Sequence, residues 1–167
     1  QMFIRHTFII ETSFNSISVH FSEIFETLFP GGKGSLSFTD KTNILETGIE
    51  ISVQPRGKKV KKLSLLSGGE RSLAAIAFLF SIFKSFPSPF YILDEVEAAL
   101  DDANLHRMIN LLDKIKEDAQ YIIVTHQQQT MHAGDVLYGV TMEPGSGSRV
   151  FTKTKEDFES LIGTNEK

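Results

Sequence analysis

Two short apolar runs, each ending on polar side chains, constrain the fold of this chain most. Phe90-Tyr91-Ile92-Leu93 leads straight into Asp94-Glu95, and Tyr121-Ile122-Ile123-Val124 leads into Thr125-His126. Apolar runs of this length, bounded by polar residues, read as buried strands. Helical periodicity precedes each of them, over about residues 69–84 and 103–117. Strand and helix in alternation predict an α/β fold, with a parallel sheet covered by helices. Ligands of open α/β sheets gather at the carboxyl ends of the strands. The polar residues closing these two runs are therefore the first candidates for chemistry.

The first half of the chain is patterned differently. Phe14, Ile17, Phe21, Ile24, Phe25 and Leu28 recur at three- and four-residue steps, which predicts a helix over about residues 3–29 with one core-packing face. Pro30-Gly31-Gly32 stops it. Residues 35–39 alternate weakly, and Ile49, Ile51 and Val53 share one face of a strand ended by Pro55. Five of the seven residues from Arg56 to Lys62 are basic, and they read as a solvated loop before a DNA contact. Near the end, residues 137–142 and 149–152 flank Glu143-Pro144-Gly145-Ser146-Gly147 and predict a closing hairpin. A short amphipathic stretch follows over residues 155–162.

Composition removes several classes of function. With 17 basic and 21 acidic residues the net charge is −4, which argues against a wholesale nucleic-acid coat. The absence of cysteine excludes disulfides and thiolate metal sites. His6, His20, His106 and His132 have no partners at metal-ligand spacing, so zinc is not expected. The longest strongly apolar stretch, residues 73–83, is interrupted by Ser81 and is too short to span a bilayer. No basic region followed by an apolar run and a small-residue cleavage site is present. A cytoplasmic location and no membrane partner are the resulting expectations.

Three places carry candidate chemistry. Leu66-Ser67-Gly68-Gly69-Glu70 stands ahead of an apolar helix. Its glycines let backbone approach an anion, and the helix start offers unpaired N–H groups. Ser-x-x-Glu is equally a capping box that needs no ligand, and the two readings are compatible. At the end of the first apolar run, Asp94 can hold Mg²⁺ and Glu95 can orient a water. The bland reading there is an acidic loop after a strand. His126 can donate to a phosphate oxygen or an ordered water, or be merely structural. Each signal is weak alone. Their order, with Glu70 24 residues before Asp94 and His126 32 residues after it, makes them strong together.

In that order the residues resemble the ATP-binding-cassette ATPases. The signature motif falls at 66–70, Walker B at 90–95, the D-loop Ala98-Ala99-Leu100-Asp101 directly after it, and the switch histidine at 126. More narrowly the chain is similar to the head of an SMC (structural maintenance of chromosomes) protein, most like the bacterial chromosome-partition branch. Pro87-Ser88-Pro89-Phe90-Tyr91, the stretch from Asp94 to Asn104, and Asp135-Val136-Leu137-Tyr138-Gly139-Val140-Thr141-Met142 carry that narrower likeness. It extends over about residues 25–150. Glu97 departs from the usual Asp, and Gln127 to Gln129 replace a more basic stretch.

The 167 residues hold no P-loop, G-x-x-x-x-G-K-[ST]. Gly31-Gly32-Lys33-Gly34-Ser35 fails because Lys33 precedes Gly34 and because the stretch follows a helix, whereas a P-loop follows a strand. The resemblance thus implies the C-terminal lobe of an ABC-type P-loop NTPase head, residues 30–167, with residues 1–29 as the root of a coiled-coil arm. It implies that ATP and Mg are cofactors, that Asp94 assists the metal, and that Glu95 polarises the attacking water. Ser67, Gly68, Gly69 and Glu70 would meet the γ-phosphate held by the opposite head, His126 would sense it, and Asp101 would couple the two sites. The implied partners are the N-terminal P-loop segment, a second SMC head, a kleisin subunit and DNA, at the chromosome (nucleoid). A kleisin-docking module without its own catalysis and the ATPase of a related DNA-repair protein remain alternatives. A transporter ATPase would carry its P-loop upstream of the signature.

Overall fold

The apolar stripe at the start of the chain forms a long helix, α1 (Met2–Leu28), whose C-terminal half enters the core. The computed structural model describes residues 2–57, 61–142, 145 and 147–157. Phe21, Ile24, Phe25, Leu28 and Phe29 are buried, whereas Phe8, Ile9 and Val19 are 50–66% exposed. Fully burying one such side chain stabilises the fold by about 1.5–3 kcal/mol, so the last two turns anchor the helix. Gly31 ends it in the left-handed region (φ 74°), where glycine carries no steric penalty. Gly32 N–H then donates to Phe29 O at 2.7 Å.

A three-stranded antiparallel sheet follows, ordered β1 (Lys33–Phe38), β2 (Ile49–Gln54) and β3 (Lys61–Lys62). Gly34 lies so close on α1 that an added Cβ would sit 2.6 Å from Phe25 Cγ and 2.9 Å from Phe21 Cε1. The glycines of the P-loop-like stretch thus serve a helix stop and an aromatic contact. The basic run is not wholly a loop. Lys61 and Lys62 pair with Val53 and Ser52, and Lys62 Nζ meets Glu50 at 2.6 Å. Residues 58–60 lie outside the described residues.

After a 3-10 turn, Leu63–Leu65, comes α2 (Gly68–Ser85), which buries Leu73, Ala74, Ile76, Ala77, Phe80 and Ser81. It packs along α1, where His20 Nδ1 and Ser85 Oγ approach to 2.9 Å and Lys84 Nζ meets Glu23 at 2.8 Å. Strand β4 (Phe90–Asp94), α3 (Asp102–Ile115) and β5 (Gln120–Val124) complete the α/β portion. β4 and β5 pair in parallel, Leu93 opposite Ile123 and Asp94 opposite Val124. Tyr91 joins α2 to β4. Its hydroxyl accepts from Ser88 N–H (2.8 Å) and donates to Phe83 O (3.1 Å), and its ring stacks on Phe83 at 4.0 Å.

The chain divides into two compact units, Gln1–Val124 and Thr125–Lys167. The second holds α4 (Gln128–Ala133) and the antiparallel hairpin β6 (Val136–Met142) and β7 (Ser148–Thr154). The hairpin matches the sequence expectation, but α4 does not arise from any apolar period. Of the amphipathic stretch expected over residues 155–162, residues 158–162 lie outside the described residues. No helix among the described residues is long and apolar enough to cross a membrane.

Candidate functional site

The turn at residues 66–70, termed the signature turn after the motif it resembles, is built by its own helix start. Ser67 is the N-cap of α2, with extended backbone (φ −62°, ψ 163°), and a full capping box is present. Ser67 Oγ accepts from Glu70 N–H at 3.4 Å, and Ser67 N–H donates to Glu70 Oε2 at 3.2 Å. The hydroxyl also donates to Glu70 Oε2 at 3.1 Å. A serine has one O–H to give, so Ser67 reaches an incoming anion only by turning away from Glu70. Glu70 Oε2 and an incoming anion therefore compete for the O–H, whereas the cap itself, in which Oγ accepts from Glu70 N–H, is compatible with either. The first N–H groups of any helix have no partner within it; here that of Glu70 is taken by Ser67 Oγ, and those of Gly68 and Gly69 come before it. An added Cβ on Gly68 would meet nothing within 4 Å, so the approach to Gly68 is open.

Behind the turn, Leu66 is buried, and Arg71 Nη2 donates to Leu66 O (3.3 Å) and Ser64 O (3.5 Å). Arg71 had no place in the sequence reading. The signal for it, a cation one residue after the motif, is common on helix surfaces.

The acidic pair stands at the carboxyl end of β4, and both Asp94 and Glu95 are exposed. Glu95 has φ 46° and is the only non-glycine residue with positive φ among the described residues. That conformation is held from both ends. Glu95 N–H donates to Val124 O at 3.0 Å, and Ala98 N–H donates to Glu95 O at 3.1 Å. Left-handed backbone at a non-glycine residue persists where surrounding structure over-determines it, and such residues concentrate at functional sites. No glycine or asparagine marks this conformation in the sequence, so it was not legible there. Glu97, two residues on, is 1% exposed.

The chain then turns through Leu100 N–H to Glu97 O (2.9 Å) into Asp101, the N-cap of α3. Asp101 Oδ1 accepts from Asn104 N–H at 2.9 Å. The carboxylate expected to belong to a D-loop thus holds a helix start. This cap touches the signature turn: an added Cβ on Gly69 would lie 3.0 Å from Asn104 Nδ2 and 3.3 Å from Asp101 Oδ2. The sequence reading set these motifs in order along the chain, and the fold brings Gly69 and Asp101 side by side.

In the second unit, Thr125 Oγ1 accepts from Gln127 N–H at 3.0 Å, and Gln127 Nε2 lies 3.3 Å from His126 Nε2. His126 is exposed. Gln127 is also the N-cap residue of α4.

Among the described residues no group of three or more His, Asp or Glu gathers to hold a metal. Mg²⁺ is ordinarily held by one or two carboxylates, with water and phosphate completing its shell. An exposed Asp94 at a strand end fits that pattern.

The RecF/RecN/SMC N terminal domain family matches residues 9–149. The chain is 53% identical over 135 residues to the chromosome partition protein Smc of Mycolicibacterium paratuberculosis, covering 81% of this chain and 11% of that relative. It therefore spans only a small part of the curated relatives it matches. One similar solved chain comes from work on ATP-driven dimerization and DNA-stimulated activation of SMC ATPases. It matches with a TM-score of 0.83 at 36% identity, covering 96% of this chain and 98% of that one. Another is the Pyrococcus furiosus Smc head domain with an extended coiled coil, bound to the C-terminal domain of ScpA. It has a TM-score of 0.76 at 38% identity and covers 92% of this chain and 38% of that one. The mixed α/β fold is thus that of SMC ATPase head structures.

Proposed function

Because the chain belongs to the RecF/RecN/SMC family, we propose that it is the C-terminal lobe of an SMC ATPase head. In this reading it supplies half of an ATP site, completed by a separate P-loop segment and by a second head. The observation that carries it is the open face of the β4–β5 pair. Phe90, Ile92, Ile122 and Val124 are 44–63% exposed along it, whereas parallel sheets are covered on both faces. A segment that covers this face and brings the missing P-loop meets both needs at once. The nearly coextensive solved chain supports treating the lobe as a separable piece. The exposure of Phe8 and Ile9 supports the reading of α1 as the root of a coiled-coil arm.

The chemistry follows from the residues in place. Glu95, turned out of the strand direction by its left-handed backbone, orients and polarises the attacking water. Asp94 would hold Mg²⁺, which when bound neutralises charge on the phosphates. Ser67, Gly68, Gly69 and Glu70 present a helix start to the γ-phosphate of ATP carried by the opposite head. Asp101 couples the two sites, and His126 senses the phosphate. With the site divided between heads, hydrolysis waits on their engagement.

A kleisin subunit is the further protein partner, supported by the ScpA-bound neighbour. The proposal also includes DNA as a partner and a place on the chromosome in the cytoplasm, and the chromosome-partition relatives support the chromosomal part of it. The test is to co-express the P-loop segment with this chain. The isolated chain is expected to bind ATP negligibly, and the pair to bind it and dimerise. Glu95→Gln in the pair should keep ATP binding, nearly abolish hydrolysis and trap the dimer. Micromolar ATP affinity of the chain alone, or wild-type turnover by Glu95→Gln, would overturn the reading.

A further inference from the structure

We infer that Asn104 is a positioning residue, a wedge that holds the signature turn and the D-loop cap as one surface. The inference rests on the proposed reading of Ser67–Glu70 as the turn that meets the opposite head's phosphate. Asn104 is 7% exposed and sits in the first turn of α3. Three of its groups have assigned directions. Its backbone N–H donates to Asp101 Oδ1 at 2.9 Å. Its Oδ1 accepts from Arg107 Nη1 at 3.3 Å. Because a guanidinium only donates, that bond fixes which end of the carboxamide is oxygen. The Nδ2 end therefore faces the signature turn, 3.0 Å from where a Cβ on Gly69 would stand.

A methyl at 69 would press on the carboxamide end of Asn104, which would have to give way slightly, while the backbone N–H of the same residue holds Asp101. One residue thus stands against the signature turn with its side chain and against the cap of α3 with its backbone. The glycine of the motif thus has a second reason to be glycine besides approach to phosphate. It clears a buried carboxamide on its own head. Gly68 differs, since its added Cβ would meet nothing.

A double-mutant cycle in the full-length protein separates the two reasons. Gly69→Ala and Asn104→Ala should each weaken ATP-driven head dimerisation, on the order of tenfold, with ATP affinity at the P-loop unchanged. If the wedge is right, adding Gly69→Ala to Asn104→Ala brings no further loss, because the methyl then has room. Losses that multiply would mean that Gly69 clears the nucleotide instead, and would overturn the inference. So would a parallel fall in ATP affinity, the mark of general instability.

A second readout needs no nucleotide. Amide hydrogen exchange at Glu70 and Leu105, whose N–H groups are bonded to Ser67 Oγ and Asp101 O, should quicken in Asn104→Ala. It should also quicken in Arg107→Ala, whose exposed side chain can be removed without touching the core. Unchanged exchange in both variants would overturn the wedge whatever dimerisation shows. Quickened exchange in a protein whose wild type fails to dimerise with ATP would keep the wedge and remove the half-site reading instead.

Discussion

Replacing Glu95 by glycine should make the fold more stable while removing its chemistry. At φ 46° Glu95 carries a Cβ in the left-handed region, which costs about 1–2 kcal/mol for a non-glycine residue. Glycine removes that penalty but gives the unfolded chain more freedom, returning roughly 0.4–1 kcal/mol. The net gain is about 0–1.6 kcal/mol, centred on ~0.8 kcal/mol, or a rise of about 2–3 °C in Tm for a chain of this size. Glu95→Ala is the needed comparison, because it loses the same carboxylate and keeps the strained backbone. The assay is the thermal transition of the head in Glu95→Gly against Glu95→Ala, with ATP hydrolysis measured on both. Most substitutions destabilise by about 1 kcal/mol, so a rise specific to glycine is diagnostic. Equal Tm values for the two variants would refute the claim that strain is stored at Glu95. Wild-type hydrolysis by either would refute its catalytic role.

Three further outcomes are expected. Ser67→Asp keeps an acceptor for Glu70 N–H but loses the hydroxyl donated to Glu70 Oε2 and faces that carboxylate. It should therefore cost up to the ~0.5–2 kcal/mol of a lost cap while its charge blocks ATP-driven dimerisation; a folded Asp variant that dimerises normally leaves only the cap. Burial holds the Tyr121 hydroxyl up at about 12, so its contribution to stability is full below the ordinary tyrosine value near 10 and is lost as pH rises towards 12. Tyr121→Phe should therefore flatten alkaline unfolding in that window, and an unchanged profile would count against it. The hydrogen bond and charge of Lys84 pull the Glu23 carboxyl below its ordinary value. This α1–α2 contact should add ~0.5 kcal/mol or less above that ordinary value and fade as pH falls below it, read as a Glu23→Gln stability difference at pH 7 that vanishes in acid.

The parts of the fold readable from sequence were those set by local pattern. The apolar stripe of α1 and its Pro30-Gly31-Gly32 stop gave a helix of the expected extent, Met2–Leu28. The capping box put the start of α2 within one residue of expectation, at Gly68. The two apolar runs became β4 and β5 in parallel register. What escaped reading depends on distant partners. Lys61 and Lys62 are strand residues only because β2 lends them a ladder. Gln128–Ala133 is a helix with three polar glutamines around its start and no apolar period to announce it. The candidate site divided the same way. Its residue types were visible at 67–70, 94–95 and 101, but the contact of Gly69 with Asp101 and Asn104 exists only in three dimensions.

The local conflicts in this chain concentrate where function is proposed. Natural sequences usually agree with their fold at every level, and departures gather at working sites. Glu95 takes a backbone conformation that its side chain disfavours. Asp94 adds a second carboxylate beside it. The Ser67 hydroxyl is already given to Glu70 at the place where an anion is to be met. A row of aliphatic and aromatic side chains lies open on β4 and β5. An N-terminal lobe would cover the open row, a bound cation would offset the paired carboxylates, and a phosphate would draw the hydroxyl from Glu70. These three remedies are together the components that the proposed half-site would need from outside, so three separate features converge on one proposal.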